Sequence, residues 1–216
     1  MKQRARTQED KSFRRIQILD AAEKYFQEVG YEAFSMARLA RLAGVAKGTL
    51  YLYFTTREEV FLTLYNRSLV RWSHSFTEQF NDTMTDQKYV ETLYATALAD
   101  GSFIPLLTRL EHVIEHNVAI DSLIQSKRNF IAQIDRIAKL SSSILGLTKV
   151  QASELIRILG VLLVGASSTD QGPSLDNEAL PEDVQKLINS FSSQPLFIKN
   201  SVRIIEAIRT EALPNI

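Results

Sequence analysis

The 216-residue sequence has no cysteine, only three histidines and few prolines. The absence of cysteine excludes disulfide frameworks, iron–sulfur clusters, thiol nucleophiles and cysteine-ligated zinc. No Gly-x-Gly-x-x-Gly or Walker sequence occurs, so nucleotide chemistry has no support and we expect no cofactor. A metal site would have to be built from the histidines and from carboxylates.

Long apolar segments are also lacking. The longest apolar run, Ile158–Ala166, is much shorter than the ~20 residues that cross a bilayer. Residues 1–15 are basic but contain no apolar stretch of the kind found in secretory signals. These two absences predict a cytoplasmic protein with no membrane partner.

The charges balance to zero over the whole chain but are divided unevenly along it. Residues 1–71 hold 13 Lys/Arg and 8 Asp/Glu, whereas residues 72–216 hold 12 and 17. This split favours a polyanionic partner for the first part alone. With 45% hydrophobic and 23% charged residues, the composition is that of an ordinary globular protein of one or two domains.

Apolar residues recur at helical spacing, and no proline precedes Pro105. The pattern predicts an all-α protein with a small N-terminal head of three helices and a larger helical body. We place the arm and head at 1–56, a long connecting helix at 57–82, and the body at 83–216.

The head helices are predicted at about 12–29, 36–43 and 47–54. The second has Ser35 as its N-cap, and Thr56-Arg57-Glu58-Glu59 forms a capping box for the connecting helix. The apolar stripe of the first helix consists of Phe13, Ile16, Leu19, Ala22, Phe26 and Val29.

In the body we expect a helix over about 103–116 and a long helix capped by Asp121. Another follows the capping box Thr148-Lys149-Val150-Gln151 and runs to about Ser168, then a loop over 169–180. Because Ile158–Ala166 is apolar on all sides, that helix is predicted to be buried all round. Further helices are expected after Pro181 and from Pro195.

Residues 36–53 fit the steric pattern of a helix-turn-helix. A small residue, Ala40, lies where the two helices touch, and Gly44 lies in the turn, where a positive φ is cheap only for glycine. The inner set of this motif is Leu39, Ala40, Gly44, Val45, Leu50 and Phe54.

The residues that begin the third helix suit a recognition helix in the major groove. Gly48 permits close approach, Lys47 can serve a phosphate or a guanine edge, and Thr49 can serve a base acceptor or a thymine methyl. The hydroxyl groups of Tyr51 and Tyr53 can reach phosphates. These features predict binding to double-stranded DNA.

Two basic features extend this prediction. Arg57 lies in the first turn of the connecting helix, where a cation opposes the helix dipole unless a phosphate lies against that terminus. Arg4, Arg6, Arg14 and Arg15 either extend the phosphate footprint or form a solvated tail.

The head resembles the N-terminal domain of TetR-family transcriptional regulators over about residues 12–65. Its motifs are Ala43-Gly44-Val45, Gly48-Thr49-Leu50-Tyr51 and Tyr53-Phe54, after a helix that ends in Glu28-Val29-Gly30-Tyr31. The resemblance implies a homodimeric repressor that reads a palindromic operator and is released by a small-molecule inducer bound in the body. It also implies dimerisation through the last two long helices.

The resemblance further implies, by position, a set of DNA contacts. They are Ser35, Lys47, Gly48, Thr49, Tyr51, Tyr53 and Arg57, with Leu52 at a variable position that helps set operator sequence. One departure is Ala46, where relatives usually carry Ser or Thr, so a helix cap and a phosphate contact are lost.

The body leaves alternatives open. Candidates for lining an inducer pocket are Tyr94, Phe103, Arg109, His112, His116 and Phe130, although ordinary core packing explains the aromatic ones as well. His112-Val113-Ile114-Glu115-His116 fits the H-x-x-E-H pattern of inverted zinc peptidases, but no third-ligand segment follows it. Gly160 and Gly165 suit either a dimer seam or local packing. A DNA-bound structural or division-control protein on the same scaffold is a further alternative.

Overall fold

The structure is a computed structural model that describes residues 8–169 and 180–210. Every regular element in these ranges is a helix, which confirms the all-α prediction. In chain order the helices are α1 (Gln8–Val29), α2 (Met36–Leu42), α3 (Lys47–Tyr51), α4 (Arg57–Thr77), α5 (Asp86–Ala99), α6 (Phe103–Leu107), α7 (Ile120–Leu145), α8 (Lys149–Thr169), α9 (Glu182–Ser190) and α10 (Ser193–Thr210).

The chain forms two compact units. Within the described residues, unit 1 holds 8–68 and 101–129, and unit 2 holds 69–100, 130–169 and 180–210. Helices α4 and α7 therefore each contribute residues to both units. The three-part division of the sequence at residues 56 and 82 stays a prediction.

Two of the four predicted helix starts act as expected. The Ser35 hydroxyl accepts the Arg38 N–H at 3.3 Å and caps α2. At the start of α8, Thr148 Oγ1 accepts the Gln151 N–H at 3.2 Å and Gln151 Oε1 accepts the Thr148 N–H at 3.0 Å, so this capping box is confirmed.

Two other helix starts differ from the prediction. Thr56 Oγ1 accepts the Glu59 N–H at 3.1 Å, but the Glu59 carboxylate reaches back to the Thr55 N–H at 2.8 Å instead of that of Thr56. Helix α7 begins at Ile120, so Asp121 lies in its first turn and is not the cap. An acidic residue there still interacts favourably with the helix dipole.

The core of unit 1 is aromatic and centres on Phe61 of α4, which is fully buried. Its ring lies 4.8 Å from those of Tyr31 and Phe34 and 5.4 Å from that of Phe26, measured between centroids. Rings at these separations in tilted and edge-on arrangements stabilise a core beyond the area they bury. The end of α1 and the segment before α2 are thereby fixed to α4.

The predicted apolar stripe of α1 is wrong at its first two positions. Phe13 is 63% exposed and Ile16 is 51% exposed. The buried face instead consists of Ile18, Leu19, Ala22, Tyr25 and Phe26. Two neighbouring sides of a helix can both carry apolar residues at helical spacing. Spacing alone therefore did not identify which side of α1 faces the core.

The predicted helix over 103–116 is broken. Helix α6 ends at Leu107 and is followed by a π-type turn, Leu110–Ile114, and a 3-10 turn, Glu115–Asn117. The Ile114 N–H bonds the Arg109 carbonyl, five residues back, at 3.2 Å. His112 and His116 therefore do not lie one turn apart on an α-helix, which is the geometry that the zinc alternative requires.

In unit 2, α10 packs against both α8 and α5. Phe197 and Ile205 on the inner side of α10 are fully buried. Arg209 at its end donates to both Asp86 carboxylate oxygens, at 2.8 and 2.9 Å, and joins the end of α10 to the start of α5. Bidentate pairs of this kind are among the stronger ion pairs.

Helix α8 is not buried on all sides, which corrects the prediction. Its buried face is Ala152, Leu155, Ile156, Leu159 and Leu163, whereas Val161 is 76% exposed and lies beside exposed Gly160 and Gly165. Among the described residues, Lys149–Ser168 is the one helix long and apolar enough to cross a membrane, with mean hydropathy 1.5. Its packed face is equally typical of a core helix in a soluble protein.

Leu50 provides a test of the head core, because it is fully buried and its neighbour Leu52 is 84% exposed. We expect Leu50→Ala to lower the free energy of unfolding by ~2–5 kcal/mol through the cavity it leaves. The matched variant Leu52→Ala should change it by less than ~0.5 kcal/mol. Equal unfolding midpoints for the two variants in urea would contradict the inner-face assignment.

Candidate nucleic-acid interface

Helices α2 and α3 meet at a corner formed by Gly44. Gly44 has φ of 63°, in the left-handed region that glycine adopts without strain. The Ala43 N–H bonds the Leu39 carbonyl at 2.8 Å, and the Val45 N–H bonds the Ala40 carbonyl at 2.9 Å. These bonds close the end of α2 and direct the chain into α3.

The inner side of the corner is apolar. Leu39 and Leu50 are fully buried, and Ala40 and Phe54 are 3% and 1% exposed. Val45 is half-buried, and Gly44 is exposed at the turn. A helix of five residues such as α3 is too short to be stable alone, so this burial holds its orientation.

The outer side of α3 brings the predicted DNA contacts together. Lys47, Gly48, Tyr51 and Leu52 are exposed, and Thr49 is half-buried. Lys47 Nζ lies 5.9 Å from the centre of the Tyr51 ring. Within the described part of the chain, the polar ends of Lys47, Thr49 and Tyr51 have no hydrogen-bonding partner. They are free to bind an external group.

The flanking contacts are less uniform. Tyr53 is half-buried, and Ser35 is exposed with its hydroxyl at the start of α2. Ala46 occupies the N-cap of α3 and makes no side-chain cap, as the departure from the family pattern predicts. Whether any of these groups touches DNA stays a prediction.

Arg57 is engaged within the protein. Its Nε lies 3.1 Å from Glu58 Oε1, and its guanidinium lies 4.6 Å from the centre of the Tyr31 ring. Arg57 Nη2 also donates to the Tyr31 hydroxyl at 3.3 Å. The adjacent carboxylate offsets the unfavourable dipole position, so a phosphate is not needed to explain this cation.

Tyr31 is the residue that sequence reasoning missed at this site. Its ring lies between Arg57 and Arg109, the latter 5.5 Å from its centre, and its hydroxyl donates to Glu58 Oε1 at 3.3 Å. Burial and the Glu58 carboxylate raise the pKa of Tyr31, against the opposing effect of Arg57. The sequence signal that could have identified Tyr31 is its position directly after Gly30, the glycine that follows the end of α1.

The predicted basic arm is only partly described. Arg14 is exposed, whereas the Arg15 guanidinium lies 4.9 Å from the centre of the Phe54 ring and donates to Thr63 Oγ1 at 3.3 Å. Burial and the nearby Arg67 lower the pKa of Arg15. Arg4 and Arg6 lie outside the described residues.

The candidate pocket residues have separate surroundings. In unit 2, Phe130 is half-buried, and Tyr94 packs on Phe197 and hydrogen-bonds Ser193. In unit 1, Phe103 stacks on Tyr65 at 6.3 Å and Arg109 lies over Tyr31. His112 and His116 are exposed. The predicted inducer pocket therefore stays a prediction.

Tyr65 is a second group that sequence reasoning missed, because it reads as one more apolar position of α4. Its hydroxyl is buried without a hydrogen-bonding partner. Burial and the nearby Glu115 and Glu111 carboxylates raise its pKa. In 8–169 and 180–210 no group of three or more His, Asp or Glu is placed to hold a metal ion.

Two family profiles match the chain. Residues 18–64 match "Bacterial regulatory proteins, tetR family", and residues 66–187 match "Tetracyclin repressor-like, C-terminal domain". The second match alone covers more than half of the chain.

Curated relatives match over part of their length. The fatty acid metabolism regulator protein of Bacillus subtilis is 29% identical over 99 residues, which are 44% of this chain and 51% of that protein. The transcriptional repressor ComR of Escherichia coli is 37% identical over 90 residues, 42% and 40% respectively. The matched region thus spans about half or less of these relatives.

Solved structures share the fold at low identity. A TetR transcriptional regulator from Rhodococcus sp. RHA1 aligns with TM-score 0.57 and 18% identity over 96% of this chain and 99% of that chain. The multidrug binding protein EbrR, solved with imidazole, aligns with TM-score 0.56 and 14% identity over 94% and 98%. The three-helix head followed by a helical body is therefore a known arrangement.

Two glycines of the head separate a backbone requirement from a binding requirement. A Cβ at either Gly44 or Gly48 meets nothing within 4 Å, but only Gly44 has a positive φ. We expect Gly44→Ala to destabilise the head by about 1–2 kcal/mol. Gly48→Ala should leave stability unchanged or raise it by up to about 1 kcal/mol.

The variants Gly44→Ala and Gly48→Ala also separate an effect on the fold from an effect on DNA binding. If Gly48 permits close approach to DNA, Gly48→Ala should weaken binding on the order of tenfold while the fold is intact. Calorimetric unfolding and fluorescence anisotropy with a selected duplex measure the two quantities. Full DNA affinity in Gly48→Ala would remove the proposed role of this glycine.

Proposed function

The chain belongs to the TetR family of bacterial regulatory proteins, and from this we propose that it is a DNA-binding transcriptional repressor acting in the cytoplasm. The observation that carries the proposal is the two-sided α3. Buried Leu50 fixes one side, and Lys47, Thr49 and Tyr51 have free polar ends on the other. A helix presented in this way can enter the major groove.

The side chains of α3 divide into two proposed roles. Lys47 and Tyr51 bind phosphates, and Lys47 can also donate to a guanine edge. Thr49, Gly48 and Leu52 lie toward base edges, with Leu52 against a thymine methyl. Ser35 and Tyr53 bind the backbone on either side, and Arg57 acts mainly by holding Tyr31 in place.

We propose a homodimer that uses α8 and α10. The outer side of α8 supports this, because Val161 is 76% exposed between two glycines that allow close approach of another helix. A pair of heads related by a two-fold axis would read two half-sites about 34–36 Å apart, which predicts a palindromic operator.

A small organic molecule is the proposed inducer. The names of a fatty acid metabolism regulator and of a multidrug binding protein solved with imidazole support this class of ligand. Release from DNA requires that the molecule bind the DNA-incompetent state better, and a coupling of ~1–3 kcal/mol corresponds to about 5–150-fold in operator affinity.

Contacts within unit 1 supply a route for this coupling. Thr56 Oγ1 donates to the Asn117 carbonyl at 3.0 Å, and Gln27 Nε2 donates to Ser102 Oγ at 3.2 Å. With Arg109 over Tyr31, these contacts join the segment 102–117, which holds α6 and the two turns after it, to the end of α1 and the start of α4. A ligand that shifts this segment would therefore change how the head is held.

The alternatives have less support. The family match favours a regulator over a hydrolase, and the broken helix at 110–117 removes the histidine spacing on which the hydrolase depended. A DNA-bound structural protein on the same scaffold would occupy many dispersed chromosomal sites. The repressor proposal predicts few sites, next to promoters.

Lys47→Ala tests the proposed DNA contact directly. We expect weaker binding to a duplex selected from random sequences by the protein itself. We also expect the plot of log affinity against log salt to become less steep by about 2, because each of the two heads of the dimer loses one phosphate contact. Anisotropy titrations across a salt series measure both quantities.

Lys139→Ala in α7 is the matched control, since Lys139 is an exposed lysine of unit 2. It removes the same charge and should leave the salt slope unchanged. An unaltered affinity and slope in Lys47→Ala would contradict the proposed role of α3.

A further inference from the structure

Helix α9 has an apolar face that the described part of the chain leaves largely exposed. Val184, Leu187, Ile188 and Phe191 recur at i, i+3, i+4 and i+7 and are 37%, 59%, 40% and 55% exposed. No residue of α9 is buried. Exposed apolar residues arranged as one contiguous helix face are typical of an interaction surface.

The length of α9 adds to this argument. It has nine residues, and isolated helices shorter than ~12–15 residues are marginal in water. Its opposite face carries an exposed i,i+4 pair, Glu182 with Lys186 at 2.5 Å, which contributes only a few tenths of a kcal/mol. Packing of the apolar face against another surface would supply the missing stabilisation.

A complementary surface lies elsewhere in unit 2. An open groove of about 550 Å³ runs between α5 and α10. Its lining includes apolar Pro195, Ile198 and Val202 and the cations Lys199 and Arg203, all from α10, and Gln87 and Glu91 from α5. Within the described ranges these two cations have no ion-pair partner. The groove therefore offers apolar area with two unpaired cations on its α10 side and one carboxylate, Glu91, on its α5 side.

The charges of α9 and of the α10 side of the groove are complementary. Lys186 pairs with Glu182, which leaves Asp183, at the edge of the apolar face, as the acidic group of α9 without an ion pair among the described residues. A helix laid on Ile198 and Val202 with Asp183 toward Lys199 and Arg203 would satisfy both surfaces. The α9 of the same chain leaves this groove open.

We propose that α9 of one copy docks in the α5/α10 groove of a second copy, so that the dimer exchanges these helices. A two-fold arrangement fills both grooves and covers both apolar faces at once, which is the property of a closed symmetric interface. The inference rests on the homodimer of the proposed function and adds to it a second contact that involves the same helix, α10.

The natural absence of cysteine permits a clean cross-linking test. Leu187→Cys and Ile198→Cys, carried on separately tagged copies, are co-expressed and treated with a short bis-maleimide. We expect a cross-linked heterodimer on a denaturing gel. Asn189→Cys, on the opposite face of α9, is the control and should cross-link at least tenfold less.

Dimer stability gives a second measurement. Leu187→Asp should raise the dimer dissociation constant on the order of a hundredfold, because the two-fold dimer buries two copies of Leu187, one in each groove, and each contributes about tenfold. Asn189→Asp adds the same charge on the opposite face and should leave the constant unchanged. Sedimentation equilibrium measures both.

The outcomes are distinguishable. Cross-linking within one chain of the double variant Leu187→Cys/Ile198→Cys would overturn the exchange. A protein that stays dimeric without cross-linking would also overturn it while leaving the proposed homodimer intact. A monomer at all concentrations would overturn both the exchange and the homodimer.

Discussion

Burial of Leu50 beside a glycine corner is the constraint on which the candidate interface depends. Helix α3 has only five residues and no side-chain cap, so its own hydrogen bonds cannot hold it. Leu39 and Leu50 are fully buried, and the left-handed Gly44 sets the direction of the chain between them. With Leu50 facing inward, Gly48 and Leu52 lie on the opposite side of the helix, and Lys47 and Tyr51, four residues apart, lie together along one exposed edge. The chemistry offered to DNA is thus a consequence of packing.

The head is tied to the rest of unit 1 through a few polar contacts around Tyr31. Arg57 and Arg109 lie over its ring, and its hydroxyl donates a hydrogen bond to Glu58 Oε1. Arg109 comes from the segment just before a π-type turn, a backbone form that is frequent at functional sites. These contacts hold Tyr31 in addition to the packing of its ring on Phe61 of α4.

Sequence reasoning gave the helices of the head and the capping residues because glycine, serine and threonine have strong local preferences. Gly44, Ser35 and the Thr148–Gln151 box act as predicted. Sequence reasoning failed where tertiary contacts determine which residues are buried. Phe13 and Ile16 are as apolar as Ile18, and only packing selects the face. Arg57 contacts Tyr31, 26 residues earlier in the sequence, and the helix predicted over 103–116 ends at Leu107.

Chemical protection of a bound operator tests the central claim most directly. Dimethyl sulfate methylates guanine N7 in the major groove and adenine N3 in the minor groove. One experiment therefore distinguishes binding in the major groove from binding in the minor groove. The account predicts two patches of guanine N7 protection, one helical turn of about 10–10.5 base pairs apart and on the same face of the duplex. Protection confined to adenine N3, or guanine protection without this spacing, would contradict it.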